Sequence, residues 1–447
     1  MILLLGLLGL ADGSESMVLS FVVPIYTIKY ANSGINVETA LGTAVYVGCL
    51  IGALFTGQIA DKYGRRRPLI ASTVLLTIFG SLSAFLSNLI GFIICRGLLG
   101  VVIGFYSPLS FTVLSEVTPA NVRGRYMALI GAFYTLGELT ACVVAYLTLD
   151  SLTSGNTTAL LLITTVPAII SFICFMIFLD ESPRHELILG NSENAFRILE
   201  KMYLCNNKSR EGLKLTAEEK REIVEVHTKD LLREQQEEAS ALSFENVKQL
   251  FDGVYIRITP LVWLNWFVLT MTFFGIQYIL PTTMSALRQH QNDTTSLGQI
   301  ILSTIAEFPT VLVAATIIDV KFLGRKNSLG FALLMGTVGC IFSSALAWPG
   351  FIFWVSVARF FFNLSFSLNY QYTSELYPTK CRATGNGMAS CVGRFGGIIM
   401  PAICSMLGKI GTLAPYVFFG VATLVSGLLT FTIPIDTTGL TLGNLDT

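Results

Sequence analysis

The chain has 447 residues, 53% of them hydrophobic and only 13% charged, with a mean hydropathy of +0.65. Soluble domains carry about 25% charged residues, so a purely aqueous fold is excluded and lipid must solvate part of the surface. The formal net charge is zero, which argues against nucleic-acid partners.

A spanning helix needs about 20 mainly apolar residues. Twelve stretches qualify: roughly 2–28, 38–60, 68–88, 90–114, 124–148, 158–179, 257–284, 297–318, 327–347, 350–373, 384–407 and 412–434. They are numbered spans 1 to 12. Ser87–Asn88 and Trp348–Pro349–Gly350 are short separators, and the count can slip by one there. A long polar stretch divides the chain into an N-terminal bundle (1–180), a linker with short amphipathic helices (181–255) and a C-terminal bundle (256–447). The fold class expected is therefore all-α membrane protein, six spans plus six.

Span 1 is unusual. "GLADGSESMVLSFVVP" (9–24) carries Asp12 and Glu15 in an apolar setting, three residues apart and so on one helix face. No secretory leader is expected, because nothing basic precedes this run and Asp12 interrupts it.

Basic residues concentrate after even-numbered spans: Lys62 and Arg65–Arg67, Arg123 and Arg125, the long linker, Lys321, Arg325 and Lys326, then Lys380 and Arg382. The other side has Lys29, Arg288 and Lys409. Positive loops stay cytoplasmic, so the even loops, the linker and both termini are expected in the cytoplasm or its equivalent, in a plasma or organelle membrane. Two Asn-x-Thr triplets, Asn156 and Asn292, fall on the opposite side and are compatible with glycosylation. In the linker, Thr216 and Glu219 form a capping-box pattern before helical apolar spacing, and "ENAFRILEKMY" reads as a second amphipathic helix.

The two halves repeat. "GQIADKYGRRR" (57–67) corresponds to "IIDVKFLGRKN" (317–327), "SEVTPANVRGR" (115–125) to "SELYPTKCRAT" (374–384), and "FLDESPRH" after span 6 to "IPIDTTGLTL" after span 12. Three landmarks in the same order indicate a duplicated transporter. Gly64 and Gly324 permit tight turns. Asp61, Arg65, Glu116, Arg123 and Arg125 in the first half, and Asp319, Arg325, Glu375 and Arg382 in the second, form a candidate gating network. Either it latches the lobes together or its charges only enforce topology.

"DKYGRRR", "DESPR" and the paired "SE…P…R" runs resemble the major facilitator superfamily on its sugar-porter side. "YQYTSELYPTKCRATGNGMASCVGRFGGIIMP" (370–401) and the opening "ADGSES" are more similar to the organic-ion, niacin and synaptic-vesicle-glycoprotein branch. The sugar porters' span 7 "QQxSGxN" run is absent, replaced by "TFFGIQYILPTT" (272–283), which disfavours a hexose. The resemblance implies two pseudo-symmetric six-helix bundles and a proton-coupling pair between Asp12 and Arg96, with Glu15 as a second member. Read from the residues, Asp12 is a proton carrier, a permanent ion-pair partner or a counter-charge for an organic cation. Gly100 and Gly104, beyond Arg96, let another helix come close.

Candidate solute contacts are Glu138, Phe274, Gln277, Tyr278, Tyr370 and Arg394. Glu138 stands where sugar porters carry a substrate-binding Gln. Arg394 either holds a solute carboxylate or neutralises an acid such as Glu138. Glu307, two residues before Pro309, marks a kink in span 8, and Arg359 has no role assigned.

Nine scattered Cys and three His have no metal spacing, and no nucleophile, phosphate or dinucleotide motif is present. No enzyme activity, cofactor or metal is expected. The partners expected are a small polar or charged solute, protons and lipid. The function expected is proton-coupled, alternating-access transport. The alternatives are a facilitative sugar or polyol carrier and a non-transporting subunit of a larger assembly.

Overall fold

A computed structural model describes residues 1–118, 123–207, 216, 218–225, 244–287, 293–317, 324–346, 350–377 and 382–436. Spans 1 to 5 are the helices Ile2–Lys29, Val37–Tyr63, Arg66–Phe85, Leu89–Val117 and Arg123–Thr148. Span 6 comprises Thr157–Thr164 and Val166–Phe178. Span 7 is Tyr255–Leu287, and span 8 comprises Asp293–Ile305 and Pro309–Ile317. Spans 9 to 12 are Arg325–Ala345, Gly350–Leu376, Arg382–Ile410 and Ala414–Phe431. Among the described residues, eleven are long and apolar enough to cross a membrane, span 6 with its two pieces taken together. Span 8 reaches that length only when its two pieces are joined.

Both breaks have local causes. Pro167 lies two residues past Thr165, in the first turn of the second piece of span 6, and Pro309 directly follows Phe308 in span 8. A residue before Pro is pushed out of helical geometry, and Pro itself offers no amide hydrogen to the preceding turn. Glu307 therefore sits in a non-helical turn inside the membrane, where the kink was expected.

Small residues set how closely helices approach. At Gly100 and Gly104 an added Cβ would strike the span 2 backbone at Val45 and Cys49, so spans 2 and 4 touch backbone to backbone. Span 1 packs on span 5 and span 2 on span 4. In the second half, span 7 packs on span 11, and span 9 on spans 10 and 12. The two six-helix bundles meet along spans 1 and 7, 2 and 11, and 5 and 8.

The even-loop side is called here the basic face. On the opposite face the lobes are bonded directly: Asn36 Nδ2 donates to Ser405 Oγ (2.7 Å), Thr43 Oγ1 to Ile398 O (3.1 Å) and the Tyr278 hydroxyl to Glu38 O (2.5 Å). Near the basic face the lobes meet through the Phe111 and Tyr370 rings, with centroids 6.0 Å apart. Tyr370 stays 44% exposed there.

In the linker, Ser192–Asn207 forms the expected helix. Thr216 N donates to Glu219 Oε2 (2.7 Å) and Glu219 N to Thr216 Oγ1 (3.3 Å), a reciprocal capping box that opens the helical residues 218–225. Those bonds hold the Glu219 carboxyl below its ordinary value. Leu231 and Asn292 lie outside the described residues.

Candidate functional site: charged clusters between and within the lobes

The duplicated loops build the same structure twice. Gly64 (φ 83°, ψ −176°) and Gly324 (φ 65°, ψ 164°) adopt a backbone region essentially closed to other residues. Each turn wraps a carboxylate from the end of its own lobe. Arg65 N (2.6 Å) and Arg66 N (3.2 Å) donate to Glu181, and Arg325 N (3.2 Å) donates to Asp436. A Cβ on either glycine would collide with that carboxylate.

The Arg65 side chain then bonds Glu116 at the end of span 4 (3.1 Å) and Asp61 (3.3 Å), and Arg325 pairs with Glu375 at the end of span 10. All of these bonds lie within one lobe. The network ties three spans of each bundle together and makes no described lobe-to-lobe latch. The side chains of Arg123, Arg125, Asp319 and Arg382 lie outside the described residues. Glu181 and Asp436 were missed as loop partners, although both belong to the third repeated landmark.

Deeper in the N-terminal lobe, Arg96 Nη1 meets Glu15 Oε2 at 2.7 Å, both groups fully buried. Arg96 Nη2 donates to Ser83 Oγ (3.1 Å), and the Thr165 hydroxyl at the span 6 break donates to Glu15 Oε1 (3.4 Å). The guanidinium also lies over the Phe92 ring. This corrects the expected Asp12–Arg96 pairing. Spans 1 and 4 run antiparallel, and Asp12 is one turn, about 4.5 Å, farther from the end of span 1 that Arg96 reaches.

Asp12 faces the other lobe instead. It is half-buried, within electrostatic reach of Arg394 on span 11 and Glu15, and beside Tyr106. Arg394 is also half-buried, and its hydrogen bond among the described residues is to Ser390 Oγ (2.6 Å). The Tyr106 and Tyr134 hydroxyls are buried without a partner among the described residues. Asp12 lies near the first and Ser16 near the second, but neither pair meets hydrogen-bonding geometry.

One wall of this region is aromatic. Tyr46 packs on Phe274 (5.6 Å), Phe274 on Phe366 (6.1 Å), Phe366 on Tyr370 (5.5 Å) and Tyr370 on Trp266 (4.5 Å). Gln277 Nε2 contacts Met17 Sδ (3.5 Å), and Tyr278 is bonded into the opposite-face seal, so both stand in lobe contacts.

Glu138 meets neither Arg394 nor open space. Arg359 Nη2 lies 3.0 Å from Glu138 Oε2, while Arg359 Nε lies 2.5 Å from Glu307 Oε1. Asn363 Nδ2 donates to Glu307 Oε2 at 3.0 Å. Glu138 belongs to one lobe; Glu307, Arg359 and Asn363 belong to the other. Glu307 and Arg359 were visible in the sequence as costly intramembrane charges, but their one-dimensional spacing did not show that they meet.

A family model described as "Sugar (and other) transporter" matches residues 7–447. The chain belongs to that family of the major facilitator superfamily. It is 30% identical over 466 residues to the organic cation/carnitine transporter 7 of Arabidopsis thaliana, covering 97% of this chain and 90% of the relative. It is 26% identical to the niacin transporter NiaP of Acinetobacter baylyi, covering 98% and 93%. In fold it is similar to the inward-open xylose transporter XylE from E. coli, with a TM-score of 0.78 at 19% identity over 99% and 97% of the two chains. The resemblance to the organic-ion and niacin branch is thus borne out, and the transporter is an integral membrane protein with multiple spans.

Proposed function

We propose that the protein carries a small organic carboxylate with an apolar or aromatic body across the membrane, together with a proton, by alternating access. The observation that carries this reading is Arg394. Among the described residues its guanidinium has one hydrogen bond, to Ser390, and it lies within electrostatic reach of Asp12 on the other lobe. A guanidinium with donors to spare suits a planar carboxylate. The aromatic wall from Tyr46 to Trp266 suits a flat ring.

Asp12 couples the proton. Ionised, it competes with the solute for Arg394. Protonated, it releases Arg394 to the incoming carboxylate, so proton and anion enter as a neutral pair and the lobes close on both. Glu15 and Arg96 form the internal ion pair of the N-terminal lobe and hold span 1 in place behind Asp12. The lobes then rock about this mid-membrane region, with the basic face towards the cytoplasm or its equivalent.

The juxtaposed charges favour a second reading, a zwitterion whose cation rests on Asp12 and the aromatic rings. The name of the carnitine-transporting relative is consistent with it. The two readings separate in proteoliposomes. With nicotinate as probe, an inward proton gradient drives accumulation, and Asp12→Asn abolishes accumulation while retaining solute exchange. Accumulation of carnitine but not nicotinate would favour the zwitterion. Accumulation of neither, at any pH, would refute both.

A further inference from the structure

The lobe interface contains two carboxylates facing one guanidinium, and the site described above does not use them. Glu138 and Glu307 are fully buried, and Arg359 nearly so. Arg359 neutralises one carboxylate, which leaves one negative charge in a setting where an isolated buried ion costs far more than it gains. Both carboxyl groups bear on the same guanidinium, Glu138 on Nη2 and Glu307 on Nε. Glu138 Oε1 and Arg359 Nη1 are buried and have no partner among the described residues.

Among the described residues the surroundings offer no second cation. Span 5 contributes Thr135 (3.4 Å from Asn363), Tyr134 and Cys142. Span 2 brings Tyr46 and span 12 brings Tyr416. Tyrosine and cysteine are neutral at ordinary pH, so none supplies the missing charge.

We infer that Glu138 and Glu307 share one bound proton across the lobe interface, and that this proton closes the opposite face. The proton resides on one carboxyl as O–H and donates to the other, and the cluster becomes neutral: one acid, one carboxylate, one guanidinium. Its position fits a closing device. Cys142 and Thr304, one turn beyond on spans 5 and 8, touch at 3.6 Å on the way to the opposite-face seal. When the lobes part there, Glu307 and Arg359 stay together as a one-to-one pair. Glu138 leaves with its own lobe, meets water and releases the proton. Closing reverses this, taking one proton from the opposite-face solution. The ratio of closed to open protein therefore rises up to tenfold for each pH unit of acidification, the limit for one linked proton.

The inference rests on alternating access but not on the solute, so it is read without any substrate. Spin labels on non-canonical residues at Ile35 and Ile410, exposed positions on the opposite face in different lobes, report lobe separation in reconstituted full-length protein. From about pH 8 to about pH 5.5, the wild type should shift towards the short distance by up to tenfold per unit. Glu138→Gln and Glu307→Gln should each remove that dependence, with Glu138→Gln held closed, since its amide can donate to Glu307. A wild-type population that ignores pH, or a Glu138→Gln protein that shifts like wild type, would overturn the inference. Should the variants fail to fold, infrared spectra of wild-type protein with isotope-labelled glutamate decide it. A protonated carboxyl band from glutamate in the closed state at neutral pH supports the shared proton, and its absence refutes it.

Discussion

Two arginines, Arg96 and Arg359, lie buried on equivalent spans of the two lobes, yet they are used differently. Arg96 faces one carboxylate, Glu15, and all its described partners belong to its own lobe. Arg359 faces two carboxylates, one of which crosses the lobe boundary. A balanced pair inside a rigid bundle has nothing to exchange when the lobes move. An unbalanced cluster spanning the boundary changes its charge count whenever they separate. The contrast suggests that the duplication kept an intramembrane arginine in each half but gave one to scaffolding and the other to the moving interface.

The contrast is broken most directly by removing Arg96. Arg96→Leu strands Glu15 in the bundle and should cost about 3–5 kcal/mol, the usual penalty for breaking a buried pair. The double variant Glu15→Leu/Arg96→Leu should recover most of that loss. Thermal unfolding of detergent-purified protein checks both. Recovery would place the pair in the scaffold, whereas a stable double variant without pH-driven transport would move coupling to Glu15.

Arg394→Lys should leave the fold intact and raise the KM for nicotinate about tenfold to a hundredfold. That range corresponds to losing a charge-assisted hydrogen bond worth roughly 1.5–3 kcal/mol. Uptake kinetics in proteoliposomes measure it. Gly64→Ala and Gly324→Ala should each cost about 1–3 kcal/mol from backbone strain. Gly64→Ala should be the more damaging, because Glu181 accepts from two consecutive amides. Differences in melting temperature between the two report how unequal the duplicated loops are.

The smallest effect lies outside the membrane. The Glu219 carboxyl sits below its ordinary value because Thr216 bonds its ionised form. Its contribution is therefore present at neutral pH and is lost only as pH falls through the lowered folded value. Hydrogen exchange across residues 218–225 should be unchanged by mild acidification and faster in Glu219→Gln.

Much of this was legible in the sequence because lipid imposes length and charge rules on each span. Twelve spans, the kink at Pro309, the capping box at Thr216 and the paired loops follow from local patterns, and each stands where expected. The partners of buried charges were harder to read. Asp12 and Glu15 share a helix face, so spacing alone could not say which one Arg96 would choose. The antiparallel offset of spans 1 and 4 decides it. Glu138, Glu307 and Arg359 come from three spans in two lobes, and only the way the lobes dock brings them together. Arg65 and Arg325 could be read as a latch between the lobes or as topology-setting charges, and their described partners, Glu181 and Asp436 among them, lie within one lobe.

The most direct test of coupled transport is proton flux. Proteoliposomes containing a pH-sensitive dye should acidify inside when nicotinate is added outside, with one proton entering per solute, and Asp12→Asn should abolish the acidification. Wild-type uptake of nicotinate with no accompanying internal pH change would contradict the account.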